Sequence, residues 1–211
     1  MARAPPVLCF VSGIPYIKAM KGKIAIIGKG HVGSALNDGL KRAGYETRMT
    51  GKGSDVRDAA AWGNIVILAV PFSAVDAAVA ELGGAVDGKP VVDVTNALGP
   101  KMELALGFTT SGAEQLQKKA PSAKVVKAFN TVFAQNMSTG KVKGKTISCF
   151  AAGDDAAAKG LVLQLCRDIG FDAVDAGPLA NARWLEAMGY LQIQLGYALG
   201  MGPGIGFALV R

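Results

Sequence analysis

The 211 residues are half hydrophobic and only 18% charged, a balance that argues against disorder and allows one substantial core. The net charge of +7 comes from scattered Lys and Arg without aromatic interleaving, so it fits phosphate-bearing small ligands and not nucleic acid. Three cysteines without a C-x-x-C pair, and a single histidine, argue against a disulfide frame, a metal centre and a Ser-His-Asp triad; the thiols read as reduced, in a cytoplasmic protein. Residues 1–19 hold a mostly apolar stretch, Val7 to Ile14, bracketed by Pro5, Pro6 and Pro15. They read as an extension rather than a signal peptide, with a natural start at Met20. Lys23–Ile27 predicts a strand and Ser34–Leu40 a helix. Tyr45–Met49 predicts the second strand and Asp55–Ala61 a helix. Asn64–Val70, closed by Pro71, reads as a parallel strand buried on both faces. Then come a helix over Ser73–Leu82, a strand over Lys89–Val94, a helix over Gly112–Lys119 and a strand over Lys124–Phe129. Thr146–Ala151 and Phe171–Asp175 read as strands around a helix over Asp154–Gly170, capped by Asp154 or Asp155. This alternation predicts an α/β fold: a Rossmann-type doubly wound, mainly parallel sheet over residues 20–182, with a short helical C-terminal tail over 183–211. Ala187 to Val210 carries no charge but includes Gln192, Gln194, Pro203 and repeated glycines. It therefore reads as a buried or interface helix followed by a Gly-rich turn, with no membrane as partner.

Between the first strand and helix stands Gly28-Lys29-Gly30-His31-Val32-Gly33, a G-x-G-x-x-G in the one context where that pattern has a mechanism. Gly28 permits a tight turn, Gly30 lets backbone approach a pyrophosphate, and Gly33 lets the helix pack closely on its strand. The helix N-terminus offers unpaired N–H groups and a positive dipole end to phosphates. His31 lies inside this loop, where packing or a phosphate contact suits it better than catalysis. An ordinary Gly-rich turn is the bland alternative.

An NAD-preferring site carries a carboxylate about 20 residues past the fingerprint, at the end of the second strand. Here that end offers Thr50, Gly51 and Lys52, with Ser54 and Arg48 nearby. Hydroxyls and cations suit a ribose 2′-phosphate, so NADP is the expected cofactor; a solvated basic loop is the alternative. The remaining strand ends carry Val70-Pro71-Phe72, Thr95-Asn96 and Asn130-Thr131. In open α/β sheets ligands bind beyond these ends. Asn and Thr orient a carboxamide or carbonyl, and Phe72 is placed to cover one face of a nicotinamide. For each alone, capping a turn is an equal reading. Asp93 and Asp175 are expected to make structural hydrogen bonds, and Arg183 and Glu186, one turn apart, to pair with each other.

Several stretches resemble the NADPH-dependent reductases of the deazaflavin coenzyme F420, the F420-dependent NADP oxidoreductases. They are Ile26 to Leu36, Ile67 to Phe72, Val125 to Thr131, Ala152 to Asp155, Asp175-Ala176-Gly177-Pro178-Leu179 and Gly200-Met201-Gly202. The resemblance implies an NADP-binding domain completed by a small C-terminal portion, hydride transfer between nicotinamide and a flat tricyclic partner such as F420 or a flavin, and a homodimer. It also implies that Asn130, Thr131 and Met201 surround the small-molecule redox partner. Direct hydride transfer asks only for binding, orientation and exclusion of water, so no catalytic acid–base residue is expected. A dehydrogenase of a small carbonyl or imine, and an NADP-binding redox sensor, are the other function classes the sequence leaves open. The spacing of Gly196 and Gly200 suggests a face for close helix approach in the dimer.

Overall fold

The computed structural model describes residues 21–51 and 55–211, together with the backbone of two short strands, β1 (Cys9–Val11) and β2 (Ile14–Tyr16), which pair antiparallel. Lys52 and the other residues of 52–54, and most of the 1–19 extension, lie outside the described residues. The main sheet has seven strands, in the order β11-β10-β7-β6-β5-β3-β4. They are β3 (Lys23–Ile27), β4 (Glu46–Thr50), β5 (Ile65–Leu68), β6 (Pro90–Asp93), β7 (Lys124–Ala128), β10 (Ser148–Gly153) and β11 (Asp172–Asp175). All neighbours run parallel except β7 and β10. The strand-to-helix alternation of the sequence thus yields a mainly parallel, Rossmann-type sheet.

Both sheet faces are covered, and the pleat divides the core between them. Ile24 and Ile26 join one apolar cluster while Ala25 and Ile27 join the other, as a side-chain period of two requires. On one face lie α1 (His31–Arg42), α5 (Ala134–Met137) and α6 (Ala156–Ile169). On the other lie α2 (Val56–Trp62), α3 (Val75–Leu82), α4 (Gly112–Lys119) and the start of α7 (Ala182–Ile193). Local chemistry sets the helix starts. The side chains of Asp55, Ser111 and Asp155 accept from the backbone N–H of Asp58, Glu114 and Ala158, each satisfying an orphan donor of a first turn. No helix among the described residues is long and apolar enough to cross a membrane.

Several boundaries differ from the sequence reading. The apolar run after Asn64 leaves the sheet at Leu68, and Phe72–Ala74 forms a 3₁₀ turn ahead of α3. The strand expected to reach Phe129 stops one residue earlier, because Phe129 takes φ 63. Thr146 belongs not to β10 but to a small hairpin, β8 (Lys141–Val142) with β9 (Lys145–Thr146), whose Lys143-Gly144 turn has φ 48 and 79. In the tail, α7 continues through one π-helical turn, Gln194–Ala198, and the chain then leaves helical structure. Gly200 therefore lies outside the helix, and a Cβ on Gly196 would meet the Phe133 ring at 2.7 Å. The close approach at Gly196 is to this chain's own Phe133, which corrects the reading of that spacing as a helix-pairing face.

Candidate functional site

Counting from β3, the first five strands of the sheet stand in the order 2-1-3-4-5, and the winding reverses between β3 and β5. A crevice at the carboxyl ends of the strands beside such a reversal is where open α/β sheets take ligands. A cavity of about 700 Å³ opens there, lined by Gly28, Lys29 and Gly30 after β3, by Gly51 after β4 and by Val70 and Pro71 after β5.

The three glycines occupy three different environments. Gly28 has φ +124, and a Cβ on it would sit 2.0 Å from the Ala69 carbonyl oxygen. Gly33 approaches the loop so closely that a Cβ would stand 2.1 Å from the Gly28 oxygen. Gly30 has an ordinary extended backbone, φ −75 and ψ −174, and nothing within 4 Å of where its Cβ would be. Neither strain nor packing demands glycine there; open space at a helix N-terminus does, and it suits a phosphate group. His31 and Val32 are the first residues of α1, with His31 exposed. His31 also lines a second cavity of about 450 Å³ with Ala35, Gln135 and Tyr197.

The Gly28 N–H donates to the Thr50 carbonyl at 2.8 Å, which ties the loop to the end of β4. Lys29 then lies against Gly51, its side-chain carbons 3.6–3.9 Å from the position of an added Cβ. Arg48 is engaged elsewhere, its guanidinium 4.5 Å over the Trp62 ring. The Thr50 hydroxyl is buried without a hydrogen-bond partner.

Past the ends of β6 and β7 stand Thr95, Asn96, Asn130 and Thr131, which are not among the residues that line this cavity. Asn96 and Asn130 bond each other: Asn96 Nδ2 donates to the Asn130 carbonyl at 3.0 Å, and Asn130 Nδ2 donates to Asn96 Oδ1 at 2.9 Å and to the Leu185 carbonyl at 2.7 Å. Asn130 Oδ1 is left without a donor, as are the buried hydroxyls of Thr95 and Thr131. A buried oxygen left unpartnered is costly, so this cluster fits a ligand carrying N–H or O–H groups. Phe72 is half-buried against Gly112, while Met201 is 59% exposed on the tail, its N–H bonded to the Leu195 carbonyl at 3.1 Å.

Beneath this cluster lies an ionic group that the sequence reading did not single out. Lys127 is fully buried and spends its three donors on Asp93 Oδ2 at 2.9 Å, Glu186 Oε1 at 2.8 Å and the Thr95 carbonyl at 2.5 Å. Burial alone would push the Lys127 ammonium down; the carboxylates of Asp93 and Glu186 reverse that and hold it above the usual lysine range. Asp93 also accepts from the Thr95 N–H, and Glu186 from the N–H of Gly112. Glu186 therefore does not pair with Arg183. Arg183 reaches Glu114 instead, with contacts of 2.9 and 2.6 Å, and holds that carboxyl below its usual range. Asp93 and Asp175 do make structural hydrogen bonds. The available signal was a lysine inside the otherwise apolar run Val125–Phe129; its partners lie 34 and 59 residues away. Among the described residues no group of three or more His, Cys, Asp or Glu could hold a metal ion.

The reversal crevice and the open volume at Gly30 define a class, a dinucleotide-binding domain on a Rossmann-type sheet, and the similar proteins are NADP-dependent oxidoreductases. Residues 45–97 match the family model described as NADP oxidoreductase, coenzyme F420-dependent. The F420-dependent NADP reductase of Methanocaldococcus jannaschii is 32% identical over 165 residues, 74% of this chain and 71% of that protein. The crystal structure of a candidate F420-dependent NADP-reductase from Arthrobacter sp. FB24 superposes with a TM-score of 0.84 at 30% identity, covering 90% of this chain and all of that one. The chain belongs to the family of coenzyme F420-dependent NADP oxidoreductases. It is also 29% identical over 180 residues to rat metalloreductase STEAP3, but spans only 36% of that protein's length. A Myxococcus stipitatus imine reductase solved with NADP+ shares the fold at 16% identity and a TM-score of 0.63.

Proposed function

We propose that the chain transfers hydride between NADP(H) and a deazaflavin such as coenzyme F420, or a related flavin. The observation that carries the reading is the row of buried, unpartnered oxygens on Thr50, Thr95, Asn130 and Thr131, each just at the carboxyl end of β4, β6 or β7. In this reading the Gly28–Gly33 loop holds the pyrophosphate, and Val70 and Pro71 wall the crevice. Thr50, Gly51 and Lys52 meet the 2′-phosphate, and Thr95 and Asn96 the nicotinamide carboxamide. The nicotinamide supplies or accepts the hydride. Asn130, Thr131, Phe72 and Met201 align the acceptor ring and exclude water. No side chain is asked to move a proton, so Asn130→Ala should slow turnover by only about tenfold, the scale of one lost hydrogen bond. Lys52→Ala should weaken NADPH far more than NADH.

Two further features belong to this reading. The exposed apolar residues Trp184, Leu191, Tyr197 and Leu199 of α7 and the tail are the candidates for packing against a second copy in a homodimer; scattering mass at micromolar concentration tests it. The buried free thiols of Cys149 and Cys166 suit the reducing cytoplasm. We divide the chain as an extension over 1–19, an NADP-binding domain over 20–182 and a tail over 183–211. The decisive experiment mixes the protein with NADPH and either F420 or FMN without oxygen and follows nicotinamide absorbance. Oxidation above background supports the reading. Consumption only with a cyclic imine, or no consumption with any acceptor, overturns it in favour of an imine dehydrogenase or an NADP-binding sensor.

A further inference from the structure

Helix α7 touches the ends of β6 and β7 through three consecutive features of its inner face. The Leu185 carbonyl accepts from Asn130 Nδ2. The Glu186 carboxylate binds Lys127 Nζ at 2.8 Å and the Gly112 N–H at 2.9 and 3.1 Å. Gly189, one turn on, comes so near that a Cβ would lie 2.4 Å from Asn96 Oδ1 and 2.9 Å from the Asn130 carbonyl oxygen. A charge, a carbonyl and a missing side chain thus all serve one close contact.

Lys127 lies at the centre of that contact. Its ammonium has three protons, and each has a partner: one carboxylate on β6, one on α7 and the carbonyl of Thr95. A lysine is an expensive way to fill a buried volume, since burial of an ion is offset only by well-aligned partners. The backbone beside it is strained in the same place. Phe129 is fully buried at φ 63 and is held by an edge contact with Phe171, ring centroids 5.9 Å apart. Strain in a non-glycine residue persists only where its surroundings over-determine it. Here it directly precedes Asn130.

We infer that Lys127 is a positioning residue: through Asp93 and Glu186 it locks α7 onto the strand ends, and so sets Thr95 and, through its bond to Asn130, Asn96 in the geometry that receives the nicotinamide. The inference rests on the NADP reading of the crevice. It differs from a purely structural role, because a lock at this end acts on the nicotinamide half of the ligand and leaves the adenosine half, held by the glycine loop, untouched.

The test separates those halves. NADPH and 2′,5′-ADP, which lacks the nicotinamide, are titrated calorimetrically into the full chain and into two variants. Glu186→Gln keeps the side-chain shape and an acceptor for Gly112 while removing the charge facing Lys127. Gly189→Ala alters no charge and presses directly on the amide pair. In both, 2′,5′-ADP should bind within about twofold of the unmutated chain, while NADPH weakens by about tenfold or more, on the scale of one interaction lost. The fluorescence of bound NADPH should move toward that of free NADPH. Parallel loss of both ligands shows general damage and overturns the inference, as does unchanged NADPH binding in both variants. If the unmutated chain binds 2′,5′-ADP and NADPH equally well, no nicotinamide site is formed and the inference fails. If it binds neither, the NADP reading itself fails.

Discussion

The glycine loop at the crevice works through its backbone, whereas the ends of β6 and β7 are built from buried side chains. At the first, the working parts are Gly28, Gly30, Gly33 and the N-terminus of α1, all within a few residues of each other. At the second, Asp93, Lys127 and Glu186 come from β6, β7 and α7 and meet only because the sheet and the helix are folded. A backbone site accepts a ligand common to many enzymes. A side-chain site fixes orientation, and its geometry depends on every element that contributes to it.

Substitutions should expose this contrast. The largest effect is expected at Gly28→Ala. Left-handed strain and a Cβ 2.0 Å from Ala69 oxygen together cost roughly 2–6 kcal/mol, so thermal denaturation should show a greatly destabilised chain. Lys127→Met should come next, at about 3–5 kcal/mol in urea unfolding, because it leaves two buried carboxylates facing each other. A Lys127→Met protein as stable as the original would remove the ionic group from the account. Gly30→Ala sharpens the comparison most. Its backbone is unstrained and its surroundings empty, so stability should change by less than about 0.5 kcal/mol. NADP+ affinity should nonetheless fall by about tenfold or more in calorimetry, since the new methyl takes phosphate space.

The two regions were also unequally legible in the sequence. The glycine loop could be read because its meaning is local: an apolar strand, three glycines at fixed spacing and a helix start. Gly112–Lys119 was legible to the residue because Ser111 caps it. The Asn96–Asn130 meeting was only suggested, by two Asn residues at strand ends. The Lys127 group stayed hidden because pairing rules along one helix favour neighbours, which pointed Glu186 at Arg183, whereas its partners come from β7 and the start of α4. The hairpin of β8 and β9 was missed because Lys143-Gly144 lacks the Asn-Gly or Asp-Gly signal of such turns. The end of the β7 strand was missed because nothing local marks Phe129 for a positive φ.

The smallest effect concerns pH. Asp168 accepts from Lys21 at 2.8 Å and from Tyr45 at 2.6 Å; burial works against its charge, but these contacts prevail and hold its carboxyl below the usual range. Its contribution is therefore present above the ordinary Asp value of about 3.9 and is lost as pH falls through the lowered one. Asp168→Asn should flatten that acid limb by about 1 kcal/mol or less in pH-dependent unfolding. Lys127 acts in the opposite direction. Its raised value leaves its contribution intact below the ordinary Lys value of about 10.4, to be lost only as pH rises through the folded one. Neither group should tilt stability near neutral pH.

The central claim is that the glycine loop and the ends of β6 and β7 serve one hydride transfer from NADPH to a flat acceptor. The most direct measurement uses NADPH deuterated at the transferring carbon, mixed with the protein and F420 without oxygen, with mass analysis of the reduced acceptor. The account predicts NADPH oxidation above background and deuterium on the reduced deazaflavin. NADPH that stays unoxidised with F420 and FMN, or deuterium that appears only in solvent, would contradict it.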